Sequence, residues 1–414
     1  MLATILSRQT WAAKSHSAKF ELIACTDNLW FVVAGSGFRS DTWSGATLDC
    51  LSRLTIVIPT IGRPEFLRRQ VEYWKDSPVK VVILDGSNIK ASDLDLPPNF
   101  THLRSLDGFC ARLLSAIGAV ETEFVALLAD DEFFLKSGLV NAINRMDSDD
   151  EVIGCVGRCL YFFVDQGRFL ASHAYRDWKP FPSTARFPVN RLDLDLPPNK
   201  THMAMYGVYR REKWVSMIRA AYSVQFSCGY VYERLLNLQR SILGRTEIIE
   251  SLLWMRSKEN PSIVNTEVRR TGGHDFVTWA TSPEFNHEVC RYKGIALDLL
   301  RDSGFNDADA AGYLDRFFNG GVFRQKSKEQ LANKSLKRKL GLILLRYSPR
   351  SLRLFCKRHV PARYLRFTGW EGHDLSKVIS SLRDQGTHFN EPELWDIARL
   401  SLSLHERRGH GQLD

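Results

Sequence analysis

The central part of the sequence alternates short apolar runs with segments in which apolar residues recur at helical spacing. Four runs predict strands: LTIVIPT at 54–60, VKVVILDGS at 79–87, HLRSL at 102–106 and VALLADDEFF at 125–134. The first two are continuous and rich in β-branched residues, as is typical of strands that are buried on both faces of a parallel sheet.

Two amphipathic segments separate these runs and predict helices. One begins at Pro64, since proline is favoured in a first helical turn, and continues through EFLRRQVEYWKD. The other, DGFCARLLSAIGAVET, repeats apolar residues at Phe109, Leu113, Leu114 and Ile117. The order strand, helix, strand, strand, helix, strand predicts an α/β fold with a mostly parallel sheet flanked by helices.

The pattern changes on both sides of this core. Residues 1–52 have weak periodicity and predict an extension that holds one hairpin. From Asn286 the sequence becomes helical, beginning with HEVCRYKGIALDLLRDSG. We therefore expect an α/β domain at 53–285 and a helical, basic C-terminal region at 286–414. A repeated segment, DLDLPPNFTH and later DLDLPPNKTH, predicts a loop that is used twice, because Pro-Pro-Asn favours a turn.

Within the run at 125–134, the apolar residues are followed by three consecutive carboxylates, Asp130, Asp131 and Glu132. Carboxylates at the end of a buried strand are costly unless a cation meets them. In an open α/β sheet this edge is also where ligands bind. A divalent metal that carries a phosphorylated substrate would satisfy both conditions. The alternative is that these acids form the cap and first turn of a helix, where negative charge suits the helix dipole.

Composition describes an ordinary soluble globular protein, with 44% hydrophobic and 25% charged residues. No apolar run approaches the about 18 residues that a membrane span needs. The N-terminal sequence lacks the pattern of a secretory signal. The eight cysteines are scattered without a CxxC pair, which predicts reduced thiols in a cytoplasmic protein.

The net charge of +9 is concentrated in one segment. Residues 324–366 contain 14 lysines and arginines and a single acid, Glu329. The mixture of basic and apolar residues suits a helix on the anionic inner face of the cytoplasmic membrane. A helical subdomain with a solvated basic face explains the charge equally well. Nucleic acid is not expected as a partner, because no reader motif is recognisable.

Taken in order, these features resemble the GT-A-fold glycosyltransferases, particularly the family 2 nucleotide-sugar transferases, over residues 53–280. LTIVIPTIGRPEFL resembles the opening strand and the loop that lies against the nucleotide, and VVILDGS resembles the second strand. The stretch from Leu106 to Phe134 resembles the helix and strand that lead into the DxD motif. The resemblance implies nucleotide-sugar contacts at Pro59, Thr60, Arg63, Asp85, Arg112 and Asp130.

The same resemblance implies a metal ligand and a catalytic base. Ala129 stands at the first position of the DxD motif, which leaves Asp130 near the ribose or phosphate and Asp131 as ligand of Mn²⁺ or Mg²⁺. Family 2 members usually place their base about 100 residues later, at the start of an apolar helix, where CGYVYERLLNL offers Glu233. The alternative is that Glu233 is a surface residue of an ordinary helix.

A third segment, VRRTGGHDF, matches the part of related enzymes that closes the site. The resemblance implies His274 as a second metal ligand and Arg269 and Arg270 as a clamp on the diphosphate. A loop histidine that is simply solvated is the alternative for His274.

The implied function is that of a metal-dependent glycosyltransferase, which moves a sugar from a nucleotide-diphosphate donor, with a UDP-sugar favoured. The acceptor would be a glycan or lipid-linked glycan of a bacterial surface polysaccharide, and inversion at the anomeric carbon is expected, although retention stays open. A sugar nucleotidyltransferase would need a Gly-rich basic loop after the first strand, which PTIGRPEF matches poorly. A degenerate domain that only binds a partner is the other alternative, because Ala129 departs from the motif.

Overall fold

The computed structural model describes residues 21–24, 30–33, 45–88, 95–174, 204–259, 274, 276–316, 318 and 372–409. The chain divides into two compact units, residues 1–48 and residues 49–414. The first unit contains the predicted hairpin, in which β1 (Glu21–Ala24) pairs antiparallel with β2 (Trp30–Val33). The second unit takes in both the predicted α/β domain and the predicted helical region.

A 10-stranded sheet forms the centre of the second unit. Its strands are β3 (Leu54–Thr60), β4 (Lys80–Asp85), β5 (Phe100–Arg104), β6 (Phe124–Leu127), β7 (Phe133–Phe134), β8 (Val152–Asp165), β9 (Arg168–His173), β10 (Val208–Arg210), β11 (Arg245–Ser257) and β12 (His373–Asp374). Strands β5, β4, β3 and β6 lie side by side and are parallel. Strand β10 lies antiparallel between β6 and β8, and β9 and β12 continue the sheet antiparallel beyond β8. Strand β11 runs parallel to β8, and β7 pairs with β11.

Helices cover both faces of this sheet. The described helices are α1 (Gly45–Ser52), α2 (Pro64–Trp74), α3 (Phe109–Ala119), α4 (Lys136–Asp147), α5 (Arg211–Tyr222), α6 (Tyr230–Leu243), α7 (Phe276–Thr281), α8 (Asn286–Asp302), α9 (307–316), α10 (Leu375–Asp384) and α11 (Glu391–Gly409). Short 3₁₀-helices lie at Ala204–Tyr206 and Pro283–Phe285.

Alternation along the parallel strands divides the core into two layers. In β3, Ile56 and Ile58 pack with α2, α4, α10 and α11, whereas Val57 packs on the opposite face with α3 and α5 to α9. Successive side chains of a strand point to opposite faces, so a continuous apolar run is what such a doubly covered strand requires. The structure confirms the α/β fold, the parallel strands with flanking helices, and the helical C-terminal region.

The strand predicted at 125–134 is confirmed at its start, but its continuation through the three acids is wrong. Strand β6 ends at Leu127, and a turn follows that the Glu132 N–H closes on the Ala129 carbonyl at 3.1 Å. The chain then forms β7 against β11. The helical alternative for the three acids is also wrong, because α4 begins only at Lys136. We call residues 129–132 the acid turn.

A buried carboxylate fixes the C-terminal helix α11 to the rest of the second unit. Glu393 is 6% exposed and accepts hydrogen bonds from the backbone N–H groups of Lys136 and Ser137 and from the Ser137 hydroxyl at 2.9 Å. The Tyr73 hydroxyl of α2 lies 2.8 Å from the same carboxylate. Glu393 therefore caps the start of α4, whose first N–H groups have no partner within their own helix.

We expect Glu393→Gln to lower the free energy of unfolding by about 2 kcal/mol, because one acceptor oxygen becomes an N–H₂ group that faces backbone donors. Urea unfolding measures the change. Glu406→Gln, at an exposed position of the same helix, is the matched control and should unfold like the wild-type protein. Equal stability of the two variants would contradict the capping role.

Candidate active site

The acid turn is held from behind by polar side chains of α2. The Arg69 guanidinium donates to the Asp131 carbonyl at 2.7 Å, and the Gln70 amide donates to the carbonyls of Asp130 and Glu132 at 3.1 and 2.6 Å. Arg69 is buried, pairs with Glu259 at 3.0 Å and lies against the rings of three phenylalanines, Phe66, Phe133 and Phe162. These bonds fix the backbone of the turn, so its side chains have defined directions.

Arg63 lies in front of both aspartates. Its Nη1 is 2.9 Å from Asp130 Oδ1 and its Nη2 is 2.8 Å from Asp131 Oδ2. The other oxygen of Asp130 accepts a hydrogen bond from the Thr60 hydroxyl at 2.7 Å. The Asp130 side chain is 0% exposed and the Asp131 side chain 12%. Asp131 is therefore the aspartate that faces solvent, and Asp130 lies behind it.

Burial dominates the protonation of the other two acids. It raises the pKa of Asp130 to about 7, although the positive charge of Arg63 opposes the shift. It raises the pKa of Glu132 to about 8, against the positive charge of Arg256, whose Nε is 3.7 Å away. Glu132 also accepts a hydrogen bond from the indole N–H of Trp254 at 2.7 Å. Both carboxylates depend on these partners for their charged form.

Tyr206, at the end of a short 3₁₀-helix, connects the acid turn with α6. Its ring stacks on Trp254 with 4.2 Å between the ring centroids. Burial raises the pKa of the Tyr206 hydroxyl well above its usual range, and the negative charges of Glu132, Glu233 and Asp131 raise it further. The charges of all three carboxylates therefore act on this hydroxyl, and the 3₁₀-helix that ends at Tyr206 packs against α6. Glu233 is half-buried in the first turn of α6.

Helix α8 positions the chain that enters α6. The Glu288 carboxylate accepts hydrogen bonds from the N–H and the hydroxyl of Ser227 at 2.9 and 3.0 Å, and from the Trp279 indole at 2.7 Å. One half-buried acceptor thus joins α7, α8 and the loop before Glu233. The first helix of the predicted C-terminal region, α8, therefore holds the loop that leads to Glu233.

Asp85 and Arg112 lie at the same edge of the sheet. Asp85 ends β4 beside Thr60, the last residue of β3. Its Oδ1 accepts from the Ser87 N–H at 2.8 Å and its Oδ2 is 3.2 Å from His102 Nε2. Arg112 donates to the Thr60 carbonyl at 3.0 Å. The carboxyl ends of β3, β4 and β6 therefore meet at one group of polar side chains, as ligand sites of open α/β sheets do.

This edge brings together a large part of the predicted site: Pro59, Thr60, Arg63, Asp85, Arg112, Asp130 and Asp131. Their contacts with a ligand stay predictions. Arg269 and Arg270 lie outside the described residues, as does the basic segment at 324–366. His274 is described, and its ring centroid is 4.5 Å from that of Phe285. In the described part of the chain, no helix is long and apolar enough to cross a membrane.

The carboxylate of Asp131 is the group at this edge that a divalent ion could meet. Within the described ranges, no group of three or more His, Cys, Asp or Glu side chains could hold a metal ion. Asp131 offers a partly exposed carboxylate, and Mg²⁺ is commonly held by one or two carboxylates together with substrate phosphates. The role of Asp131 as ligand is compatible with this geometry, whereas that of His274 stays a prediction without a described partner set.

The sequence did not indicate several residues that hold the site. Arg69 and Gln70 could have been found, because helical spacing places them on the face of α2 that carries Phe66 and Tyr73. Polar residues on an otherwise apolar helical face signal a buried network. Trp254 and its hydrogen bond to the acid turn left no such signal, because the partners are far apart in the chain.

No protein-family model and no curated protein matches the chain. Among solved structures, S. aureus TarS matches at 15% identity with a TM-score of 0.41, over 64% of this chain and 43% of TarS. TarS 1-349 in complex with UDP-GlcNAc matches at 13% identity and a TM-score of 0.45, over 86% of this chain and 92% of that one. TarS 1-349 in complex with UDP matches at 14% identity and a TM-score of 0.43, over 86% of this chain and 91% of that one. The chain spans less than half of the longer TarS chain, and at these TM-scores the likeness carries no inference about its activity.

We expect Gly86→Ala to disturb this edge, because a Cβ there would lie 1.9 Å from Arg112 Nη1. Moving the buried guanidinium away from the Thr60 carbonyl should lower the free energy of unfolding by about 1–3 kcal/mol. Urea unfolding measures this change in the free energy of unfolding. Gly118→Ala is the matched control, because nothing lies within 4 Å of its added Cβ and alanine favours the interior of α3. An unchanged Gly86→Ala protein would contradict this packing.

Proposed function

We propose that the protein is a GT-A-type glycosyltransferase that takes a sugar from a nucleotide-diphosphate donor, and that the donor is a UDP-sugar. The observation that supports this most is the acid turn at the carboxyl ends of β3, β4 and β6, where Arg63 pairs with Asp130 and Asp131. In the proposal, this edge supplies charged groups for a diphosphate, and Glu233, in the first turn of α6, supplies the base.

The chemistry assigned to these groups is a single displacement. The acceptor hydroxyl oxygen forms a bond with the anomeric carbon and gives its proton to the Glu233 carboxylate. The bond between the anomeric carbon and the phosphate oxygen breaks, and the nucleoside diphosphate leaves with the electron pair. This displacement inverts the anomeric carbon. Thr60 and Arg69 keep the acid turn in place while it faces the diphosphate.

A divalent ion, Mn²⁺ or Mg²⁺, would be held by Asp131 together with the diphosphate. When bound, it would supply positive charge to the leaving group. The acceptor is proposed to be a glycan or lipid-linked glycan. Contact of the segment 324–366 with an anionic membrane is part of the same proposal, with a cytoplasmic location for the enzyme.

The rival functions have less support from the structure. A nucleotidyltransferase needs backbone N–H groups of the first loop for the phosphates, but the Gly62 N–H donates to the Ser87 hydroxyl at 2.7 Å. A degenerate binding domain has no need for a half-buried carboxylate at Glu233. A measurement of sugar-transfer turnover would distinguish a binding domain from an enzyme.

We expect Glu233→Gln to leave nucleotide binding nearly intact and to reduce sugar transfer by roughly 10²-fold or more, the scale of losing a positioned base. Donor hydrolysis or transfer to an added acceptor measures turnover, and thermal shift measures binding. Glu212→Gln changes an exposed glutamate in the first turn of α5 and should keep full turnover. Near-normal transfer by Glu233→Gln would return this residue to the role of a helix surface residue.

We expect UDP to stabilise the protein much more with Mn²⁺ or Mg²⁺ than with EDTA, because only the folded state binds the pair. Asp131→Asn should remove the difference, since it takes the charged ligand away. Asp150→Asn, at a fully exposed side chain, should keep it. Equal stabilisation of the wild-type protein with EDTA would argue for metal-independent binding.

A further inference from the structure

The position of Arg63 raises a question that the proposed function does not answer. Its guanidinium binds one oxygen of each aspartate, at 2.9 and 2.8 Å. Asp131 is the residue proposed to share a metal ion with a diphosphate. The carboxylate that should receive a cation therefore already has one from the protein's own chain.

Arg63 is placed where it can leave its partners. Its side chain is 16% exposed, and it follows Gly62, an exposed residue with φ of 62°. One aromatic ring, that of Phe66, lies 4.6 Å from its guanidinium. Arg69 differs in each respect, because its side chain is 1% exposed and it lies against three phenylalanine rings and Glu259. The Arg69 guanidinium is therefore fixed in the interior, whereas the Arg63 guanidinium borders solvent.

The charges explain why neither ligand would bind well alone. An ion that takes Asp131 deprives Arg63 of one of its two charged partners and leaves only Asp130, which is costly for a half-buried guanidinium. A diphosphate that arrives alone meets the carboxylates of the acid turn, which repel it. When both arrive, the diphosphate offers Arg63 the charge-assisted hydrogen bonds that it loses at Asp131.

We propose that Arg63 is an exchangeable counter-ion of the acid turn, which gives up Asp131 to a divalent cation and turns to the diphosphate of the incoming nucleotide. This inference rests on the proposed function for the identity of the nucleotide. It makes Arg63 the residue that couples the two ligands, so that each raises the affinity of the other by the same factor.

The test measures Mn²⁺ binding directly, without turnover, by titration followed by electron paramagnetic resonance. Wild-type protein is titrated with Mn²⁺ alone and with Mn²⁺ in the presence of UDP. We expect UDP to raise the affinity for Mn²⁺ at least about tenfold, within the usual range of coupling between sites. In Arg63→Gln, Mn²⁺ alone should bind at least about tenfold more tightly than in the wild type, and the effect of UDP should fall below about threefold.

Arg68→Gln is the matched control, since it removes one positive charge from an exposed position of α2, the helix that Arg63 precedes. This variant should behave like the wild type. A gain of Mn²⁺ affinity in this variant equal to that of Arg63→Gln would reduce the effect to net charge and overturn the proposal. Weaker Mn²⁺ binding in Arg63→Gln would also overturn it, because Arg63 would then hold Asp131 in place for the ion.

Two further results keep the test decisive. If Arg63→Gln does not fold, the wild-type titration still decides, because equal Mn²⁺ affinity with and without UDP contradicts coupling. If the wild type binds no nucleotide at all, the proposed function fails, whereas a gain of Mn²⁺ affinity in Arg63→Gln alone still shows that Arg63 competes for the acid turn.

Discussion

The candidate site depends on one constraint, the burial of a guanidinium and an amide on the inner face of α2. Arg69 and Gln70 donate to three successive backbone carbonyls, those of residues 130, 131 and 132. A turn placed inside a fold leaves carbonyls that water cannot reach, and each would be costly without a donor. Helix α2 supplies these donors, so the chain can turn between β6 and β7 instead of continuing as a strand.

The three acids of the fixed turn differ in how deeply their side chains are buried. Glu132 points inward to Trp254, Asp130 lies beneath Arg63 and Thr60, and Asp131 reaches the solvent side. A buried carboxylate keeps its charge only where a cation or several donors face it, and the structure provides a different set for each acid. Asp131 is therefore the aspartate of the turn that is most accessible to a ligand. Three consecutive acids thus differ in charge and accessibility because their surroundings differ.

Sequence patterns predicted the elements well and the contacts poorly. Continuous apolar runs and helical spacing correctly located β3, β4, α2 and α3, because these patterns follow from burial of each element alone. The break after Leu127 was missed, since the apolar residues on both sides of the acids look like one strand. Arg63 was predicted to contact a nucleotide, and its pairing with both aspartates was not foreseen. Such pairing depends on how a loop and a turn about 70 residues apart meet in space.

The C-terminal helix α11 and the acid turn are both hydrogen-bonded to the same helix, α2. The Tyr73 hydroxyl of α2 lies between the Glu393 carboxylate and the Phe134 carbonyl, at 2.8 and 2.9 Å. Arg69, which holds the turn, is also within 3.5 Å of the Ser401 hydroxyl of α11. Helix α2 thus binds the turn and α11 with residues that share one buried face. Because close-packed interiors transmit displacement instead of absorbing it, a shift of α11 would reach the aspartates through one layer of side chains. The sequence predicted residues 286–414 as a separate helical region, but its helix α11 contacts the residues of α2 that hold the site.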